Sequence, residues 1–203
     1  MQKRGILKFF SSSPEPIAKS QIPSPKLLCQ VPDKPEQVLD EPEQVLDKPE
    51  HNLICFTDGS AINNGKTYCK AAYAVIWPDY PDFNYGDKVL PATNNRAEYS
   101  GAICALKQAN IIDPIYKLQL HIYTDSMLLI NSMTKWLSGW KKNGFMTKNK
   151  TKVLNQDLLL ELDKLVQKRR THFHHVKAHT NASTWEAKYN DMADKLARLT
   201  TIK

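Results

Sequence analysis

No apolar run in this chain approaches the length of a bilayer span, which excludes a membrane-crossing helix at the level of sequence. Cysteine is scarce as well. Cys29, Cys55, Cys69 and Cys104 show no CxxC spacing and three of them lie in apolar runs, so the expectation is reduced, mostly buried thiols in a reducing, intracellular compartment. Residues 1–50 lack Trp and Tyr altogether and hold eight of the twelve prolines. Such a segment buries too little apolar surface to offset its chain entropy and is read as a disordered tail and linker. Within it PEQVLD recurs at 35–40 and 42–47, but a proline every seventh residue breaks a helix, which excludes a coiled coil and leaves a duplicated linker. The tail is close to charge balance, whereas residues 51–203 carry 21 basic against 13 acidic residues. That excess favours a polyanionic partner.

Residues 51–203 read as one α/β domain. Strand-like runs at 53–58, 71–77, 84–89, 118–124 and 171–176 are separated by helical patterns at 94–110, 126–136, 154–168 and 185–200. Three strands followed by helix, strand, helix, strand and helix predict a mixed five-stranded sheet with helices on both faces. Ala97, Ile103, Cys104 and Leu106 are expected inside the first helix face, and Leu158, Leu162, Leu165 and Val166 inside a later one.

Asp58 and Asp125 end apolar strand-like runs, and Glu98 falls in the expected first turn of a helix. Carboxylates in such places are poorly solvated unless a positive charge stands beside them. Several of them converging repel one another unless divalent cations intervene, and hard oxygen donors suit Mg²⁺ or Mn²⁺. The chemistry such a site does best is metal-assisted displacement at a phosphodiester.

In sequence order the chain holds TDGS at 57–60, TNNRAE at 93–98, YTDS at 123–126, TKWLSGWKKNGF at 134–145, HVKAH at 175–179 and ADKLA at 193–197. Together these segments resemble the ribonuclease H family, type 1, the cellular kind with a basic protrusion. The resemblance implies the ribonuclease H-like fold, with the first and fourth strands adjacent at the centre of the sheet. It implies that Asp58, Glu98, Asp125 and Asp194 hold two Mg²⁺ ions, with Mn²⁺ able to substitute. The implied activity is endonucleolytic hydrolysis of the RNA strand of RNA/DNA hybrids, leaving 5′-phosphate and 3′-hydroxyl ends, with a role in replication, repair or R-loop removal. His179 then matches a residue that shuttles protons or helps product leave.

Asn63, Asn64, Asn94 and Asn95 match positions that contact the minor groove and the 2′-hydroxyl, a group that both donates and accepts as an amide does. For Asn63 the residues equally allow a plain hairpin turn, and for Asn94 a helix N-cap. Residues 134–152 contain six lysines and no acid, interleaved with Trp136, Trp140 and Phe145. This stretch, including Lys141 and Lys142, resembles the protrusion that grips the DNA strand by charge and flat surface. Thr93 and Asn155 match the DNA-phosphate pocket of the family, with Pro91 where an arginine often stands. The segment between His179 and Asp194 is about five residues longer than is typical, and Tyr189 replaces a usual glycine. Nothing in residues 1–50 has the makings of the small hybrid-binding domain that many eukaryotic members carry.

Two other readings are set against this one. Intact acids argue against a hybrid-binding module without catalysis. The TNNRAE segment and the lysine–tryptophan stretch argue against another DNA-processing enzyme of the same superfold. Finally, Ile6, Phe9 and Phe10 resemble the motif by which replication and repair enzymes dock on a sliding clamp, an aliphatic residue three positions before two adjacent aromatics. The departure is Lys3 where glutamine is usual, and the alternative is a basic targeting segment. The clamp reading places the chain in the nucleus or at a site of DNA replication rather than in the mitochondrion.

Overall fold

Leu53, Ile54, Cys55 and Phe56 are all buried, and a strand covered on both faces belongs in the middle of a sheet. The computed structural model, which describes residues 52–177 and 184–203, places it there. Strand β1 (Asn52–Ile62) pairs antiparallel with β2 (Lys70–Ile76) and parallel with β4 (Gln119–Thr124). Strand β3 (Tyr85–Lys88) extends one edge and β5 (Thr171–His175) the other, in the order β3-β2-β1-β4-β5. The expected mixed five-stranded sheet is therefore present, with the first and fourth strands side by side. The tail, the clamp-like Ile6, Phe9 and Phe10, and His179 lie outside the described residues.

Helix α1 (Asn94–Ile112) packs Tyr99, Ala102, Ile103, Leu106 and Ala109 into the main core with Leu53, Val75, Trp77, Leu120 and Ile122. Leu159 and Leu162 of helix α4 (Gln156–Val166) join the same cluster. Ala193 of helix α5 (Trp185–Ile202) lies in a second cluster with Ile54, Phe56 and Ile76, residues that alternate with the first set along their strands and so face the other side. Tyr189, found where a glycine was expected, stacks on Phe56 at 5.5 Å between ring centres.

Several expectations are corrected. Strand β1 does not end at Asp58 but runs on to Ile62, because residues 58–62 stay paired with β2 from Ala74 down to Lys70. The helix expected at 126–136 is a short α2 (Met127–Asn131) followed by a π-helical turn (Ser132–Trp136), and it runs on past its expected end as α3 (Leu137–Lys142). Helix α4 starts at Gln156, two residues late, because Asn155 is left-handed with φ 57°. Of the described cysteines only Cys55 is buried; Cys69 and Cys104 are half-buried.

On the outer half of the sheet His121, His172 and His174 form a half-buried group with Tyr123. His121 stacks on His172 and on His174, both at 5.0 Å, and His121 Nδ1 lies 2.8 Å from His174 Nε2. Burial, then the neighbouring imidazoles, push His121 down to about 4 and lower His174. A depressed histidine adds stability above its unfolded pKa near 6.5, and this is lost as pH falls from there toward 4. Thermal midpoints of wild type and His121→Asn, compared from pH 7.5 to 4.5, are expected to converge on acidification. The difference isolates the histidines, because the buried carboxylates titrate with opposite sign in the same range. A constant gap between the two curves contradicts the assignment.

Candidate metal and nucleic-acid site

Asp58 lies inside β1, Asp125 directly after β4 and Glu98 in α1, so three separate elements each deliver one acid. Gly59 makes the approach possible. A Cβ there would meet the Glu98 backbone nitrogen at 2.7 Å and the Glu98 carboxyl carbon at 3.0 Å, so only glycine lets β1 run this close to α1. The Gly59 amide also donates to Asp58 Oδ1 at 2.8 Å. Helix α1 begins at Asn94 behind Thr93, whose hydroxyl accepts from the Arg96 amide. Glu98 is thus the fifth helical residue, one turn later than expected, and the N-cap is Thr93 rather than Asn94.

One oxygen from each of Asp58, Glu98 and Asp125 lies within 4.8 Å of the others. Asp58 and Glu98 are buried and Asp125 is half-buried. Burial, then the charges of Asp125 and Asp194, push Asp58 up to about 7. Burial, then Asp58 and Asp125, raise Glu98 well above the usual carboxylate range. Glu98 Oε2 is a buried acceptor with no hydrogen-bond partner among the described residues. Three convergent hard donors, mutual repulsion and an orphaned carboxylate oxygen fit a divalent cation bound by oxygen. Asp194, on α5, lines the same cavity of about 550 Å³ and hydrogen-bonds Arg198 Nε through Oδ1 at 2.8 Å.

A polar chain leads out from Glu98. Asn94 Nδ2 donates to Glu98 Oε1 at 3.4 Å, and the Asn94 amide donates to Asn64 Oδ1 at 3.1 Å. Asn63, left-handed at φ 57°, serves the turn after β1, and Asn95 is exposed on α1. Across the molecule Asn155 precedes α4 and accepts from Arg96 Nη1 at 3.4 Å. Sequence reasoning missed Arg96, although it sits inside the segment that carried the resemblance.

The lysine-rich stretch differs from expectation in two ways. Phe145 is buried in the main core, with its amide bonded to the Trp140 carbonyl, so it offers no surface. Lys141 pairs with Asp163 of α4 at 2.6 Å and ties α3 down instead of standing free. Trp136 is 40 % exposed, and Trp140, half-buried, lies 5.6 Å from it with the rings tilted. Lys142 and Lys135 are exposed.

A family model described as RNase H matches residues 50–201. Ribonuclease H1 of Mus musculus is 39% identical over 150 residues, covering 72% of this chain and 49% of that protein. Ribonuclease H of Wolbachia pipientis wMel is 33% identical over 150 residues, covering 74% and 95%. The chain spans about half the length of the mammalian relatives it matches. Among solved structures, the PFV RNase H domain superposes with TM-score 0.61 at 21% identity, covering 75% of this chain and 95% of that one. LC11-RNase H1 in complex with RNA/DNA hybrid superposes with TM-score 0.52 at 19% identity, covering 74% and 97%. At these identities the likeness is one of fold.

Proposed function

The chain belongs to the ribonuclease H family, and we propose that it hydrolyses the RNA strand of RNA/DNA hybrids with the help of divalent metal. The observation that carries the proposal is the convergence of Asp58, Glu98 and Asp125, one oxygen each within 4.8 Å. These three and Asp194 would hold two Mg²⁺ ions, with Mn²⁺ able to substitute. Metal bound there would supply activation of the attacking water and stabilisation of the leaving 3′ oxygen.

The chain's own residues do the rest. The carboxylates fix the site from three rigid elements. Asn94, bonded to Glu98 and to Asn64, would with Asn64 read a 2′-hydroxyl beside the scissile position. Asn63 and Asn95 extend that strip. Thr93 and Asn155 receive a phosphate of the DNA strand, and Trp136, Trp140 and Lys142 grip that strand further along. His179 is assigned the moving proton. Ile6, Phe9 and Phe10 are proposed to dock in an apolar pocket of a sliding clamp, which would keep the enzyme at sites of DNA replication.

The direct test is a hybrid labelled on either strand, incubated with Mg²⁺ or with EDTA. Products from the RNA strand alone, ending in 5′-phosphate and 3′-hydroxyl and absent with EDTA, support the reading; DNA-strand products or metal-independent cleavage contradict it. For the lysine stretch, Lys135→Ala with Lys142→Ala is expected to weaken hybrid binding and to lower the slope of log K against log salt by roughly one to two, as fewer counterions are released. An unchanged slope assigns those lysines to a solvated face.

A further inference from the structure

Arg96 stands in the first turn of α1, two residues before Glu98, and its guanidinium crosses to the start of α4. Nη1 donates to Asp157 Oδ1 at 3.0 Å and Nη2 to Asp157 Oδ2 at 2.7 Å, a two-pronged contact of the kind a guanidinium offers to carboxylate and phosphate alike. Asp157 itself stands in the first turn of α4, and the Arg96 guanidinium beside it, then the amides at that helix start, hold its carboxyl below the usual carboxylate range. It therefore lies between a guanidinium fork and a helix N-terminus, two features that also favour a bound phosphate.

The two partners are not equally fixed. The Arg96 side chain is 14% exposed, while that of Asp157 is 59% exposed, so the cation is anchored and the anion can turn into water. Two more donors stand beside them. Asn155 precedes α4 at φ 57° with its side chain capping none of the helix amides, and Arg96 Nη1 reaches its Oδ1, which leaves the amide nitrogen turned the other way. Thr93 uses its hydroxyl oxygen to accept from the Arg96 amide, which leaves the O–H to donate.

We propose that Asp157 is an internal stand-in for a phosphate of the bound DNA strand, and that Arg96 is a phosphate-positioning residue released to the substrate when Asp157 swings out. The pair keeps the guanidinium extended before substrate arrives, and it lowers affinity by requiring displacement of a carboxylate. The inference rests on the hybrid-cleaving function proposed above.

The test is hybrid cleavage and hybrid binding by wild type, Asp157→Asn, Arg96→Ala and the double variant. Asp157→Asn, which keeps its size but not its charge, is expected to lower KM by roughly threefold or more with kcat within about twofold, and to steepen the salt dependence of binding. Arg96→Ala is expected to raise KM, and adding Asp157→Asn to it to give no further gain. Arg96→Lys, a point charge without the fork, is expected to recover only part of the loss. If Asp157→Asn raises KM as Arg96→Ala does, the pair is a structural bridge and the proposal fails. It fails equally if Asp157→Asn lowers KM as much in the Arg96→Ala background, since Asp157 would then merely repel the substrate. Binding measured by fluorescence anisotropy in EDTA reports the same order of variants without turnover, which separates this inference from the proposed activity: a wild type that binds but does not cut hybrids overturns the activity alone.

Discussion

Asp125→Asn is expected to lower metal-dependent hybrid cleavage by at least about two to three orders of magnitude. The substitution keeps the shape of the side chain and removes one of three charges that converge within 4.8 Å. In the two-metal site proposed above, a carboxylate in that position would serve both cations, so its loss would change how tightly they sit and how they are spaced. The same variant carries its own folding control. Asp125 is among the charges that push Asp58 up to about 7 and raise Glu98. A raised carboxylate gives stability that is present at low pH and lost as pH rises from near 4 through 7, so the metal-free site opposes folding at neutral pH. Asp125→Asn relieves that opposition, and its thermal midpoint in EDTA is expected at or above that of wild type. Near-normal cleavage by the variant contradicts the metal assignment, and a marked fall in midpoint contradicts the electrostatic one.

Arg169→Met is expected to destabilise the domain by about 3–5 kcal/mol, which for a domain of this size lowers the thermal midpoint by roughly 10 °C. The Arg169 side chain is fully buried. It pairs with Asp113 at 2.7 Å, donates to the carbonyls of Ala109, Asp113 and Leu118, and reaches Asn110. Ala109 belongs to the last turn of α1, and its carbonyl already accepts from the Asp113 amide that caps the helix, so the guanidinium adds a second donor there and places a cation at the negative end of the helix dipole. Methionine fills most of the volume but leaves the Asp113 carboxylate buried without its cation and removes one donor from each of those carbonyls. Arg169→Lys is expected to lose nearly as much, since an ammonium cannot reach so many acceptors at once. Adding Asp113→Asn to Arg169→Met is expected to recover part of the loss. A change below about 1 kcal/mol in Arg169→Met, read from urea midpoints, contradicts this account.

What the sequence made legible and what it hid differ by range. Strand β1 announces itself because its first half is an apolar run covered on both faces, and β4 by its alternation, with Leu120 and Ile122 buried between half-buried Gln119, His121 and Tyr123. The acids are legible because they interrupt or end such runs. The full extent of β1 was hidden, because Asp58, Gly59 and Ser60 look like a turn until β2 is known to pair with them. Arg169 was hidden for a related reason. In an Arg-Arg pair between a helix and a strand nothing marks one as buried, and its partner Asp113 lies 56 residues away. Phe145 was misread, and the Lys141 ion pair went unseen, because composition records a basic, aromatic stretch without saying which side chains turn inward or find a partner. Phe145 has φ 59° and folds back beneath Trp140, and Lys141 finds Asp163 on a neighbouring helix. Arg96 and Asp157 likewise meet only because α1 and α4 pack together. Local pattern carries the elements and the metal-binding acids, and the contacts between elements decide which charges are free.

The most direct measurement is cleavage of one sequence presented as RNA/DNA, RNA/RNA and DNA/DNA duplexes, each with Mg²⁺ and with EDTA. The account predicts cutting of the RNA strand in the RNA/DNA duplex alone, and only with the metal. Comparable cutting of either of the other duplexes, or cutting that survives EDTA, contradicts it.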